Sequence, residues 1–149
     1  MNDAAAQQLR DSALRLLARR EHSAQELAGK LASRHALSPA ASEIQRLLAD
    51  LEAAGYLSNT RFVASFVRER RNRGYGPVRI AQELRLRGID IDVAEQHLNR
   101  HDPDWQAVAQ RVRRKRFGES PAQLLKEKAK IVRFLQYRGF LPEQIAQAL

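Results

Sequence analysis

No cysteine occurs in the 149 residues, so disulfides and thiolate metal sites are excluded, and a reducing compartment is compatible. No segment approaches the roughly 20 apolar residues of a membrane span. The opening stretch MNDAAAQQLRDSALRLLARR carries acids and has no basic region followed by an apolar run, so it is not patterned as a secretory signal. The cytoplasm is the simplest location, and no membrane partner is expected. Strand-like alternation is absent. So are a glycine-rich phosphate loop, a nucleophile elbow and a zinc motif. The carboxylates are interleaved with basic residues or sit at cap positions. Nothing in the pattern points to an enzyme or a cofactor.

Positive charge, in contrast, is abundant. The formal net charge is +9. Such an excess favours negative partners: nucleic acid, an acidic protein or an anionic surface. It is unevenly placed. Up to Leu57, Asp3, Asp11, Glu21, Glu26, Glu43, Asp50 and Glu52 balance Arg10, Arg15, Arg19, Arg20, Lys30, Arg34 and Arg46. The excess therefore lies in the remainder of the chain, as a one-sided binding face would require.

Apolar residues recur at helical spacing almost throughout. Leu9, Ala13, Leu16 and Leu17 mark a first helix. Ser23 and Glu26 form a capping-box pair ahead of Leu27 and Leu31. Ser38-Pro39 opens a third helix, with Ile44, Leu47, Leu48 and Leu51 on one face. Ser58 or Asn59 caps the next, carrying Phe62, Val63, Phe66 and Val67. Pro77 begins a helix with Ile80, Ala81 and Leu84, and Asp90 or Asp92 caps a short one, with Asp92 and Glu95 a second box-like pair. Asp102-Pro103 precedes Trp105, Val108, Ala109 and Val112, which form a core face. Ser120-Pro121 starts a long helix with Leu124, Leu125, Ile131, Phe134 and Leu135, and Pro142 begins the last. Leu84-Arg85-Leu86-Arg87-Gly88-Ile89 is echoed by Leu135-Gln136-Tyr137-Arg138-Gly139-Phe140, with each glycine at a helix end. The fold class is all-α: a tandem, elongated array of three three-helix repeats over 1–57, 58–101 and 102–149. The core is complete within the array, so a monomer is expected.

The basic residues form three groups. Arg68, Arg71 and Arg73, with Arg70, close one helix. Arg79, Glu83 and Arg87 stand at i, i+4 and i+8 on the next, where one glutamate does not neutralise two arginines. Arg111, Arg113, Arg114, Lys115 and Arg116 are the densest run, followed by Lys126, Lys128 and Lys130. Such guanidinium groups suit phosphate or carboxylate partners, although a solvated surface ladder has the same pattern. Tyr75, in the Gly74–Gly76 break, either stacks on a base or caps a helix end. His97 and His101 are four apart and could share a metal, but the Asp102-Pro103 signal ends their helix.

The run YLSNTRFVASFVRERRNRGYGPVRIAQELRLRGID resembles the RecX family, bacterial regulators of the RecA recombinase. The resemblance rests on Gly55-Tyr56-Leu57, Arg61-Phe62, the Arg68–Arg73 run, Gly76 to Ile80, Glu83-Leu84 and Arg87-Gly88-Ile89. Ser23, Glu26 and Leu27 with Lys30-Leu31, and KIVRFLQYRGF from Lys130, extend it along the chain. Ser58-Asn59 replaces a usual acidic pair, and His35-Ala36 stands where a basic residue and glycine are common. The resemblance implies modular three-helix repeats that bind the RecA filament on single-stranded DNA and restrain its growth, ATP hydrolysis and strand exchange. Arg68, Arg71, Arg73, Arg79, Arg87, Arg111, Arg113, Arg114, Lys115, Arg116, Lys126 and Lys130 are then the expected contact residues. Charge reversal at Arg68, Arg71, Arg79 and Arg87 together is expected to weaken binding while preserving helicity. Two other readings are a DNA-binding helical module independent of RecA and a metal-dependent enzyme using His97 and His101.

Overall fold

The computed structural model describes residues 2–149. Among these, regular structure is entirely helical: α1 (Asp3–Arg19), α2 (Ala24–Arg34), α3 (Ala41–Ala53), α4 (Asn59–Asn72), α5 (Pro77–Leu86), α6 (Ile91–Leu98), α7 (Asp104–Phe117), α8 (Leu125–Arg138) and α9 (Pro142–Ala148). The chain divides into two compact units, Met1–Ser65 with Arg87–Ile89, and Phe66–Leu86 with Asp90–Leu149.

Several helix starts follow from local side-chain chemistry. Ser23 accepts from the Glu26 amide at 3.1 Å while Glu26 accepts from the Ser23 amide at 3.4 Å, the reciprocal box the sequence predicts. Ser58 rather than Asn59 caps α4, accepting from the Arg61 amide at 3.2 Å. Asn59 instead accepts from the Ala24 amide at 2.8 Å, at the start of α2. Asp90 caps α6 through the Asp92 amide at 3.2 Å. Asp92 and Glu95 do not form a second box, because Asp92 lies inside α6, whose cap is Asp90; Glu95 pairs with Arg100 instead.

Two expected starts move. Helix α3 begins at Ala41, not at Ser38-Pro39: Ser38 takes a positive φ of 45°, and Glu43 reaches back to the Ala40 amide at 3.1 Å. Helix α8 begins at Leu125, not at Ser120-Pro121. The Gly118 and Ser120 carbonyls accept bonds from Arg113, which holds this connection outside the helix. Leu124 and Leu125 consequently stand 62% and 84% exposed, whereas Ile131 and Leu135 are buried.

The first unit packs Leu9 and Ala13 of α1, Leu27 and Leu31 of α2, and Ile44, Leu47, Leu48 and Leu51 of α3 around one core with Leu57. Each fully buried leucine contributes about 1.5–3 kcal/mol relative to exposure. The Arg87–Ile89 turn belongs to this unit: Ser23 Oγ donates to the Arg87 carbonyl at 2.8 Å. Gly88 has a φ of 78° and lies directly on Gln25, so a side chain has neither the dihedral nor the space.

In the second unit, Trp105 is fully buried and its indole N–H donates to the Leu98 and Asn99 carbonyls at 2.8 and 3.1 Å, closing the end of α6. Val108, Ala109 and Val112 share its face of α7 with Ile145 and Ala148 of α9 buried in the same unit. Buried Gln144 donates to the Arg100 carbonyl at 2.7 Å and accepts from the Leu141 amide at 2.8 Å. The head of α5 meets the tail of α8: the Gly76 and Val78 amides donate to the Arg138 and Gly139 carbonyls at 2.7 and 2.9 Å. Donors orphaned at one helix start are thereby satisfied by acceptors at another helix end.

Candidate functional site

The arginines of the central stretch are more committed than their sequence suggests. Arg70 pairs with Glu83 at 2.7 Å and lies 4.6 Å from the Phe66 ring centroid. Arg79 shares that glutamate at 3.4 Å, and Arg73 pairs with Glu69 at 3.0 Å. Arg71 is turned inward: its guanidinium lies 4.1 Å from the Trp105 ring centroid, and its Nε is buried without a hydrogen-bond acceptor. The carbonyls at the end of α4 draw in two further arginines, Arg111 to Arg71 O at 3.0 Å and Arg138 to Arg73 O at 3.1 Å. Arg87 lies in the turn attached to the first unit. Arg68 and Arg85 are exposed.

Within the densest run, neighbours have opposite fates. Arg113 is 2% exposed, and its guanidinium donates to the carbonyls of Ala148 at 3.1 Å, Ser120 at 2.7 Å and Gly118. It is a structural clamp, and the expectation that it faces a partner is corrected. Arg113 follows Ala109 by one turn, which carries it onto the edge of the buried face. Arg114, Lys115 and Arg116 are exposed.

Helix α8 adds an ordered surface. Lys126, Lys130, Arg133 and Tyr137 recur at i, i+4, i+7 and i+11, and steps of about 100° place them within about 60° of arc. All four are exposed, Tyr137 by 74%. They lie opposite buried Ile131 and Leu135. Glu127 accepts from the Gln123 amide at 3.2 Å. Among the described residues, no carboxylate lies within 4.0 Å of Lys126, Lys128, Lys130 or Arg133.

A ladder of aromatic rings and guanidinium groups continues from this stripe. Arg79 lies 5.2 Å from the Tyr137 centroid and 4.2 Å from that of Tyr75. Arg138 lies on Tyr75 at 4.9 Å and on Phe134 at 5.2 Å. Arg116 is 5.7 Å from Phe134, which meets Phe117 edge to face at 5.5 Å. These contacts hold cations in place without neutralising them. Tyr75 is thus already occupied by two arginines. Sequence reasoning missed Arg133 and Tyr137, although the i, i+4, i+7, i+11 spacing was available to reveal them.

His97 and His101 are used separately. His97 Nδ1 lies 3.1 Å from the Val93 carbonyl, and His101 Nδ1 lies 3.1 Å from Glu143 Oε1. Among the described residues, no group of three or more His, Cys, Asp or Glu side chains is arranged to hold a metal ion. Nor is any helix among them long and apolar enough to cross a membrane.

Three family profiles match the chain: the first three-helix domain of RecX over residues 10–47, the second over 58–98 and the third over 102–149. The chain belongs to the RecX family. Regulatory protein RecX of Escherichia coli strain K12 is 40% identical over 146 residues, covering 93% of this chain and 88% of the relative. Regulatory protein RecX of Escherichia coli O1:K1 / APEC is 41% identical over 144 residues, covering 92% and 87%. The crystal structure of RecX from Lactobacillus salivarius shares the fold, with a TM-score of 0.79 at 21% identity over 96% of this chain and 93% of that one. A second crystal structure of regulatory protein RecX gives a TM-score of 0.80 at 20% identity, covering 96% and 72%. These relatives are named as regulatory proteins, and the family supports a regulatory role for this chain.

Proposed function

We propose that this RecX-family chain is a non-enzymatic regulator that binds the filament formed by RecA on single-stranded DNA. In this reading it inhibits the filament's ATP hydrolysis, extension and strand exchange, and so modulates DNA repair, recombination and the SOS response in the cytoplasm. The observation that carries the proposal is the uncompensated cation stripe of Lys126, Lys130 and Arg133 beside the arginine–tyrosine ladder, in a chain matched by all three RecX domain profiles. Phosphate and acidic protein surface are the partners such a stripe fits. Arg68, Arg114, Lys115 and Arg116 extend the proposed contact, whereas Arg71 and Arg113 support it from inside. The chain acts as a monomer of three repeats, 1–57, 58–101 and 102–149. Contacts distributed over neighbouring filament subunits raise avidity beyond any local affinity, and inhibition follows where bound protein obstructs subunit movement or addition.

The test is ATP hydrolysis by RecA on single-stranded DNA, with and without purified chain. Stoichiometric protein at moderate salt lowers the rate if the proposal holds; an unchanged rate rejects it. The ladder's exposed Tyr137 and cations also fit direct nucleic-acid contact without RecA. A sequence-specific duplex shift in the absence of RecA would favour that second reading.

A further inference from the structure

The first repeat, residues 1–57, balances its charges in sequence but not in space. Helix α1 places Arg15 and Arg19 one turn apart, and α2 does the same with Lys30 and Arg34. All four line one cleft of about 260 Å³, with Ser12 and His35 beside them and no carboxylate in its wall. The nearby acids are turned to other partners. Glu21 pairs with Arg61 at 2.9 Å, Glu26 with Arg20 at 2.6 Å, and Asp11 accepts from Gln7 at 2.9 Å. Like charges one turn apart disfavour a helix, and here two such pairs share one cleft.

Two of the four cations, Arg15 and Lys30, are held by neutral groups. Arg15 donates to Ser12 Oγ at 3.1 Å, and Ser12 Oγ lies 2.9 Å from His35 Nε2. Lys30 donates to Nε2 of buried His22 at 2.9 Å, while His22 Nδ1 donates to the Arg20 carbonyl at 3.1 Å. Both bonds fix one neutral tautomer of His22. The Lys30 ammonium keeps two N–H groups for another acceptor. Partial burial, then the Arg20 charge, hold its pKa below the ordinary value; Glu26 opposes them, and Arg34 and Arg19 add to the lowering. A bound anion would relieve each of these repulsions.

We propose that the α1–α2 cleft is a phosphate-binding site. Paired guanidinium groups and an oriented ammonium match the oxygens of a phosphate better than a single carboxylate, which would leave most of the charge unmatched. The phosphate comes from the backbone of single-stranded nucleic acid or from a free phosphate compound. The site does not depend on RecA, so it stands or falls separately from the proposed regulation.

The full chain and a double variant, Arg15→Glu with Arg34→Glu, are compared by thermal shift in inorganic phosphate against chloride of equal ionic strength. Oligothymidylate binding is followed across a salt series by fluorescence anisotropy. Arg15→Gln with Arg34→Gln serves where the charge-reversed protein loses helicity. A phosphate-dependent rise in melting temperature that disappears in the variant supports the site. A salt slope shallower by roughly 1.4 in the variant, about 0.7 for each phosphate contact on single strands, assigns the source to the backbone. Phosphate stabilisation with an unchanged slope assigns it to a free phosphate compound. If neither phosphate stabilisation nor oligonucleotide binding depends on Arg15 and Arg34, the proposal is overturned.

Discussion

Arg71 lies over the indole of Trp105, with Cζ 4.1 Å from the ring centroid and Nε shielded from any acceptor. A cation in this position is stabilised by the ring face rather than by a counter-ion. The pair links the end of α4 to the fully buried indole of α7. Arg71→Ala is expected to destabilise the protein by about 1–2 kcal/mol, the range for a desolvated cation–π contact with its packing. Urea unfolding measures this, and Arg71→Lys should recover only part of it because ammonium does not spread over the ring. Consequently, reversing Arg68, Arg71, Arg79 and Arg87 together is predicted to lower helicity, against the expectation from sequence. Retained circular dichroism in that variant would contradict the inward role of Arg71.

Arg113→Ala should cost more. It leaves the Gly118, Ser120 and Ala148 carbonyls without their guanidinium donor and opens a gap beside α9. Loss of about 2–4 kcal/mol is expected from several buried hydrogen bonds and the vacated volume. Arg114→Ala, one residue on, should stay within about 0.5 kcal/mol of the parent. Denaturation midpoints of the two variants provide the comparison.

Lys126→Glu, Lys130→Glu and Arg133→Glu combined should leave the melting temperature nearly unchanged while weakening binding to the RecA filament at least about tenfold, by reversing three uncompensated charges. Anisotropy of labelled filament across a salt series gives the answer. Undiminished affinity would remove α8 from the proposed interface.

Stability should fall on mild acidification. Burial holds the His22 pKa below its ordinary 6.5, with the Arg20 and Lys30 charges adding to the lowering and the Arg20 carbonyl opposing it. The unfolded chain therefore takes up this proton near pH 6.5 and the folded chain only at lower pH. His22 contributes stability above 6.5 that is lost as pH drops toward the folded value. Proton uptake would also replace the Lys30–His22 hydrogen bond with repulsion between two donors. Unfolding free energy measured from pH 7.5 to 5.5 should decline in the parent and be flatter over this step in His22→Gln.

Glycine positions should separate sharply. Gly29 lies inside α2 with open space around it, so Gly29→Ala is predicted to stabilise by about 0.5–1 kcal/mol. Gly139 has a φ of 94° and rests against the Arg79 backbone, so Gly139→Ala should destabilise by more than that gain. Thermal unfolding of the two single variants gives the signs.

Much of this architecture was legible because it is written locally. The Ser23–Glu26 box, the helix-ending positive φ of the glycines at 88 and 139 and the leucine spacing each act within a few residues of themselves. The start of α8 was not legible, since Ser120-Pro121 is a sound local signal overridden by Arg113. Charge was readable as a total but not as a direction. Arg113 and Arg114 are identical in sequence chemistry and differ by about 100° around one helix, which sends one to backbone carbonyls and the other to solvent. The α1–α2 cleft was hidden by the same limitation: equal numbers of acids and bases gave no sign that the bases share a wall.

The junction of α5 with α8 has a kinetic consequence. Because the Gly76 and Val78 amides end on the Arg138 and Gly139 carbonyls, their deuterium uptake is tied to rupture of a contact over sixty residues distant along the chain. Fraying of either terminus strips protection from both, so the two helices open as one cooperative element rather than as independent ends.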